Sequence, residues 1–164
     1  MTKKQTKSSC FDSIDLKIMT ILQKNATVSK AEISRAVGVA PSAIFPRLKK
    51  LEKNGVIKAY ETRLDPDKLG YHTLAFLFVS ETRPVTRART AERLANVTGV
   101  EEVHKIAGDD SFLVKIRARS AKELVAILDD EVNSISTIAR TRTMIVLDTV
   151  KEDVVLGGIE RSQL

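Results

Sequence analysis

"SAIFPRLKKLEKNGVIKAY", residues 42–60, decides how the first half of the chain folds. At about 100° per residue, Ile44, Leu48 and Leu51 fall on one side and Ser42, Pro46, Lys49 and Lys53 on the other. Lys50 flanks the polar side. The stretch is therefore an amphipathic helix with three aliphatics turned to a core and a lysine-studded face turned to water. Asn54-Gly55 closes it, because glycine just past a helix end enters left-handed backbone without steric cost. Pro46 leaves two arrangements open. Either the helix starts near Phe45 and the missing N–H falls in the first turn, or the proline sits inside a kinked helix at a cost of roughly 3 kcal/mol.

Two more helices precede it. Asp12 is the expected N-cap of the first, with Phe11 and Leu16 placed for a hydrophobic staple and Ile14, Ile18, Ile21 and Leu22 on its apolar face. "NAT" (25–27) breaks it. "SKAE" (29–32) is an S-x-x-E capping box opening the second helix, and Gly38 ends it. Three short helices with a tight turn before the third describe a helix-turn-helix, whose third helix enters the major groove of DNA. "VIKAYETRL" (56–64) reads as an extended wing.

Charge is distributed to match. Residues 1–63 hold 13 Lys/Arg against 5 Asp/Glu, whereas residues 64–164 hold 14 against 16. The net +6 of the chain is thus confined to the helical module, which points to a polyanionic partner. A plain helical packing domain with a solvated lysine face is the competing reading. The helix pair, the short turn and the following extended stretch favour double-stranded DNA.

"DPDKLGYH" (65–72) reads as a linker of turn formers. Beyond it the pattern gives a strand at 72–81, a helix near 85–97, strands at 100–107 and 112–118, a helix from the capping box "SAKE" (120–123) to about 131, and a strand at 138–149. The first strand is apolar on both faces, with Leu74, Phe76 and Phe78 opposite Ala75, Leu77 and Val79. The order β-α-β-β-α-β is the ferredoxin-like arrangement, a four-stranded antiparallel sheet with both helices on one face. Its uncovered apolar face calls for another copy of the domain. The fold class is α+β: a winged helix-turn-helix at 12–63, a linker at 64–71 and a ferredoxin-like oligomerisation domain at 72–150. Residues 1–11 and 151–164 are tails.

The ordered set "RLKKLEKNGVIKAY", "LDPDKLGY", "GDDSFLVKI" and "TRTMIVL" resembles the Lrp/AsnC family of transcriptional regulators over residues 12–152. The resemblance implies sequence-specific DNA binding, homodimers that often build octamers, and an amino-acid-like effector held between C-terminal domains. It implies DNA contacts from Ser29 and Lys30 on the second helix and from Pro41, Ser42, Ala43, Pro46, Arg47, Lys49, Lys50 and Lys53 on the third. It also implies an effector site at Gly108, Asp109, Asp110 and Ser111, facing Thr141 and Thr143. Ser111 stands where the family usually has an aspartate, and a serine cannot pair an α-ammonium. Asp110 takes over that role, or the ligand differs, or the loop is a plain solvated turn.

Nothing in the residues requires an enzyme. No G-x-G-x-x-G, P-loop or H-E-x-x-H motif is present, and His72 and His104 both fall on expected strands. No cofactor, metal or catalytic group is expected. Two alternatives remain. Some two-domain proteins similar to the family are sirohaem decarboxylase-like enzymes, and a metabolite-binding assembly protein would need no DNA. The single Cys10 allows no internal disulfide and fits a reducing cytoplasm. No signal peptide is evident, and the longest central apolar run, "LAFLFV" (74–79), is too short to span a bilayer.

Overall fold

Two compact units make up the computed structural model, residues 1–63 with 152–164 and residues 64–151; it describes residues 11–82, 87–152 and 156. Cys10, the expected start of the fourth helix at 85–86 and most of both tails lie outside the described residues.

The first unit contains α1 (Ser13–Lys24), α2 (Lys30–Val37) and α3 (Pro41–Lys53). Each begins where its local chemistry supplies missing hydrogen-bond partners. The Asp12 carboxylate accepts from the Ile14 and Asp15 N–H groups at 3.0 and 2.8 Å. Ser29 and Glu32 satisfy each other's backbone donors, as the capping box predicts. Pro41 occupies the first position of α3, where no N–H is needed. Ile18, Ile33, Ile44, Leu48 and Leu51 form the buried centre, with Phe11, Val28 and Ile57 among the residues packed around it.

This geometry decides the Pro46 question. Because α3 starts at Pro41, Pro46 lies in the second turn, and the arrangement with a start near Phe45 does not occur. Pro46 has no N–H to give the Ser42 carbonyl, and both residues are exposed, so water limits the cost. Downstream, residues 56–64 belong to no sheet ladder among the described residues. That segment is instead held to α3, with the Val56 and Ile57 N–H groups donating to the Leu51 carbonyl and the Tyr60 hydroxyl donating to Glu52 at 3.1 Å. Glu152 and Leu156 also contact this unit. The Leu156 N–H donates to the Gln23 side chain at 2.7 Å, and Arg63 donates to the Glu152 carbonyl.

A single 3-10 turn, Asp67–Leu69, opens the second unit. The unit continues as β1 (Thr73–Glu81), α4 (Arg87–Ala95), β2 (Val100–Lys105), β3 (Phe112–Ala118), α5 (Ala121–Ile127) and β4 (Ile138–Ile145). A π-turn, Leu128–Val132, extends α5. The sheet order is β2-β3-β1-β4, with every pairing antiparallel, so the expected ferredoxin-like topology is the observed one. Ala75, Leu77 and Val79 of β1 pack with Phe112, Val114 and Ile116 of β3 and with Leu94, Leu124 and Ile127 of the helices. The same alternation sends Leu74, Phe76 and Phe78 to the other face.

Boundaries differ where side chains do not dictate them. β2 stops at Lys105 rather than 107, and β4 stops at Ile145 rather than 149, with Leu147 almost fully exposed. Val146 still donates its N–H to the Leu74 carbonyl at 2.9 Å. At the α4–β2 turn, Gly99 has a φ of 75°, and a Cβ there would lie 2.2 Å from the Arg117 carbonyl oxygen. Only glycine fits that approach.

Candidate nucleic-acid interface and effector loop

The outward side of α3 carries three exposed lysines, Lys49, Lys50 and Lys53. Ser42, Pro46, Lys49 and Lys53 follow one another at three- and four-residue steps and are exposed, as are Pro41, Phe45 and Lys50. Ser29 and Lys30 are exposed at the start of α2, and Ala43 is half-buried. Lys49 pairs with Glu52 at 2.9 Å, and that contact, with the Tyr60 hydroxyl, holds the Glu52 carboxyl below its usual range.

Arg47 is placed differently from the other expected contacts. Its Nη1 donates at 2.6 Å to both Asp12 and Asp15, and Asp15 is buried. The guanidinium therefore fastens α3 to the N-terminus of α1 instead of facing outward. The Asp15 N–H, then the Arg47 guanidinium, keep the Asp12 carboxyl below its ordinary value. Arg47 itself is pushed up by the same two carboxylates. The lock fixes the tilt of the stripe relative to α1, a role the helical spacing of Arg47 did not disclose.

Phe45 is the residue that the sequence reading passed over. Its ring is half exposed, with the Lys30 ammonium 4.6 Å and the Lys49 ammonium 5.8 Å from its centroid. The signal was available: Phe45 lies three residues after Ser42 and four before Lys49, at the edge of the polar stripe.

In the second unit, the loop before β3 positions Gly108, Asp109, Asp110 and Ser111. Gly108 has a φ of 135°, which suits glycine alone. The Ser111 N–H donates to the Val79 carbonyl at 2.8 Å and so ties the loop to β1. Asp110 accepts from the Ser80 hydroxyl at 2.7 Å and lies 3.5 Å from Arg142, whose guanidinium stacks 4.0 Å over the Phe78 ring. The Ser80 hydrogen bond, followed by Arg142, lowers the Asp110 pKa. Thr141 and Thr143 pair with Val79 and Leu77, so they share the helix-covered face, whereas Arg142 and Ser80 belong to the open face. Within one chain, then, Asp110 is held on the open side and the two threonines point to the other. The six residues are not brought into one pocket.

Two family models together span about four-fifths of the chain, one for winged helix-turn-helix DNA-binding modules over residues 11–58 and one for the Lrp/AsnC ligand-binding domain over residues 74–156. The chain belongs to the Lrp/AsnC family. Among its relatives is the HTH-type transcriptional regulator FL11 of Pyrococcus horikoshii, 40% identical over 141 residues that cover 86% of this chain and 92% of that protein. The leucine-responsive regulatory protein of Haemophilus influenzae is 30% identical over 154 residues, covering 93% and 92%. The structure of E. coli AsnC superposes with a TM-score of 0.83 at 26% identity, over 88% of this chain and 97% of that one. The feast or famine regulatory protein of M. tuberculosis, solved with L-methionine, gives 0.81 at 27% identity over 88% and 97%.

This Lrp/AsnC protein is thus a DNA-binding transcriptional regulator of a family that forms oligomers, and its second unit is a ligand-binding domain. The same membership makes it a regulator, not an enzyme, and removes the decarboxylase alternative. No helix among the described residues is long and apolar enough to cross a membrane.

Proposed function

We propose that the protein acts in the cytoplasm as a dimeric or larger regulator that holds its operator through the outer face of α3 and adjusts its grip to an amino-acid-like effector. The observation that carries the first part is the exposed stripe Ser42–Pro46–Lys49–Lys53 on a helix clamped by Arg47. Lys30, Lys49, Lys50 and Lys53 neutralise phosphates, and Ser42 and Pro46 sit at the end of the helix that approaches base edges. Ser29, Pro41 and Ala43 line the same approach. Two such helices in a dimer meet half-sites about 34–36 Å apart, or a multiple of that, on a near-palindromic operator.

The effector part rests on a composite site. Loop 108–111 of one C-terminal domain and Thr141 and Thr143 of another supply a carboxylate, close backbone and two hydroxyls, which together suit an ammonium and a carboxylate. The L-methionine held by the M. tuberculosis relative supports an amino acid as the ligand class. An effector that binds one assembly geometry better than another shifts DNA affinity by that difference and no more.

The test is a salt titration on operator fragments selected from the source genome. A dimer with about six to ten phosphate contacts loses roughly 10³–10⁵ in affinity between 50 and 200 mM salt. The Lys49→Ala/Lys53→Ala variant is expected to bind more weakly with a shallower salt slope, by about one unit for each lost contact. An unchanged slope refutes the assignment. Calorimetry against the twenty amino acids with wild type and Asp110→Asn tests the effector loop, and binding indifferent to the substitution removes Asp110 from it.

A further inference from the structure

We propose that Phe45, with Pro46 beside it, is a specificity-determining contact that reads the 5-methyl group of thymine in the major groove. The inference rests on the reading that the outer face of α3 meets DNA. An aromatic ring half exposed at the edge of the polar face is not among the residues packed into the core, which Ile44, Leu48 and Leu51 fill. The ring is not isolated, because Lys30 and Lys49 stand over it at 4.6 and 5.8 Å. Pro46, exposed next to it, adds apolar surface with no N–H to keep hydrated.

The surroundings limit what can cover this patch. An apolar protein surface closing on it strips water from the Lys30 and Lys49 ammonium groups and returns nothing to them. Duplex DNA returns phosphates to the lysines and brings an apolar group to the ring. On the major-groove edges that apolar group is the thymine methyl, since the other features are hydrogen-bond donors and acceptors. Charge around the rim and apolar surface at the centre match backbone contacts that position the helix and a base contact that specifies sequence. The lysine contacts also hold the ring in place before DNA arrives, which reduces the side-chain freedom lost on binding.

Deoxyuridine in place of thymine removes the methyl and nothing else. On a selected operator, with each half-site thymine exchanged in turn, one or two positions are expected to weaken wild-type binding about fourfold per half-site, the worth of one buried methyl. In Phe45→Ala that penalty vanishes while the salt slope stays, because the phosphate contacts are untouched. Phe45→Leu, which keeps apolar bulk, retains part of it. A deoxyuridine penalty that persists in Phe45→Ala with the slope intact overturns the role of Phe45 alone. A Phe45→Ala variant that changes oligomeric state by light scattering also overturns it, since the ring then serves a protein contact. Absence of salt-dependent duplex binding by wild type overturns both this inference and the placement of α3 on DNA.

Discussion

The two units of the chain handle charge in opposite ways. Across the open face of the sheet, several cations are matched at home: Lys115 lies 3.1 Å from Glu101 and 3.4 Å from Glu102, Arg117 is 2.7 Å from Glu101, and Arg142 reaches Asp110. The helical unit uses its best ion pair internally, at Arg47, and spreads the other α3 cations along an outer stripe. Its surplus of positive charge has no counterpart within residues 1–63, where 13 basic residues meet 5 acidic ones. A module that leaves charge uncompensated is built for a partner of opposite sign, and a module that cancels its charge is built for a neutral or self-complementary one.

The units also differ in reserve. Among the described residues, five buried aliphatics make the core cluster of the helical unit, against thirteen buried residues in that of the sheet unit. Leu51→Ala and Leu77→Ala remove equivalent side chains, each fully buried, and each is expected to cost about 2–5 kcal/mol. Hydrogen exchange read by mass spectrometry should show Leu51→Ala releasing amides throughout α1–α3 while β1–β4 stay protected. Leu77→Ala should leave both units protected at low temperature. Equal loss of protection in both variants breaks the contrast.

Ion pairs give the next largest difference. Arg47→Ala strands the buried Asp15 carboxylate and should destabilise the helical unit by about 3 kcal/mol, close to the range for breaking a buried pair. Arg142→Ala removes an exposed partner of Asp110, and a denaturant titration is expected to find less than about 1 kcal/mol. Similar losses for the two would show that burial of Asp15 is not what matters. Ser29→Ala deletes one side of the α2 capping box and should cost about 1 kcal/mol, visible as a lower melting temperature of the helical unit alone.

Acid provides the smallest and most graded effect. The Asp12 carboxyl is held down by the Asp15 N–H and by Arg47, and the Glu32 carboxyl by the Ser29 hydroxyl and N–H. Both titrate lower folded than unfolded, so their contribution is fully present above the unfolded value near pH 4 and declines as pH falls through the folded one. Circular dichroism should show the helical unit losing stability first below about pH 4. In Asp12→Asn that acid dependence should flatten.

Much of this was legible in the sequence because local chemistry carried it. The capping box at Ser29, the N-cap at Asp12, the glycine after Val37 and the alternation of β1 and β3 each bind a short segment to one conformation, and short segments can be read without neighbours. Arg47 could not be read that way. At about 100° per residue it falls beside Leu51, off the outer stripe, but only the approach of α1 brings Asp12 and Asp15 to its guanidinium. Thr141 and Thr143 illustrate the same limit. Their spacing puts them on one strand face, but which face depends on the register with Leu77 and Val79, a non-local fact. The expected wing fails to form a strand for a related reason. An extended run needs a ladder partner, and Tyr60 and Ile57 find theirs on α3 and in the helical core.

Pro46 carries a consequence for how this helix can change over time. A helix transmits its twist from turn to turn through its hydrogen-bond ladder, and at Pro46 one rung is missing. Beside that gap the helix is anchored by Ile44, which lies between Ser42 and Phe45 in the chain and is wholly enclosed by the core. Interior packing thereby becomes part of the reading head. A swap such as Ile44→Val, mild by the standard of folding, is expected to re-aim Ser42 and Phe45, the residues proposed to meet DNA, so that operator preference in a lineage of such proteins can drift through positions that never touch a base.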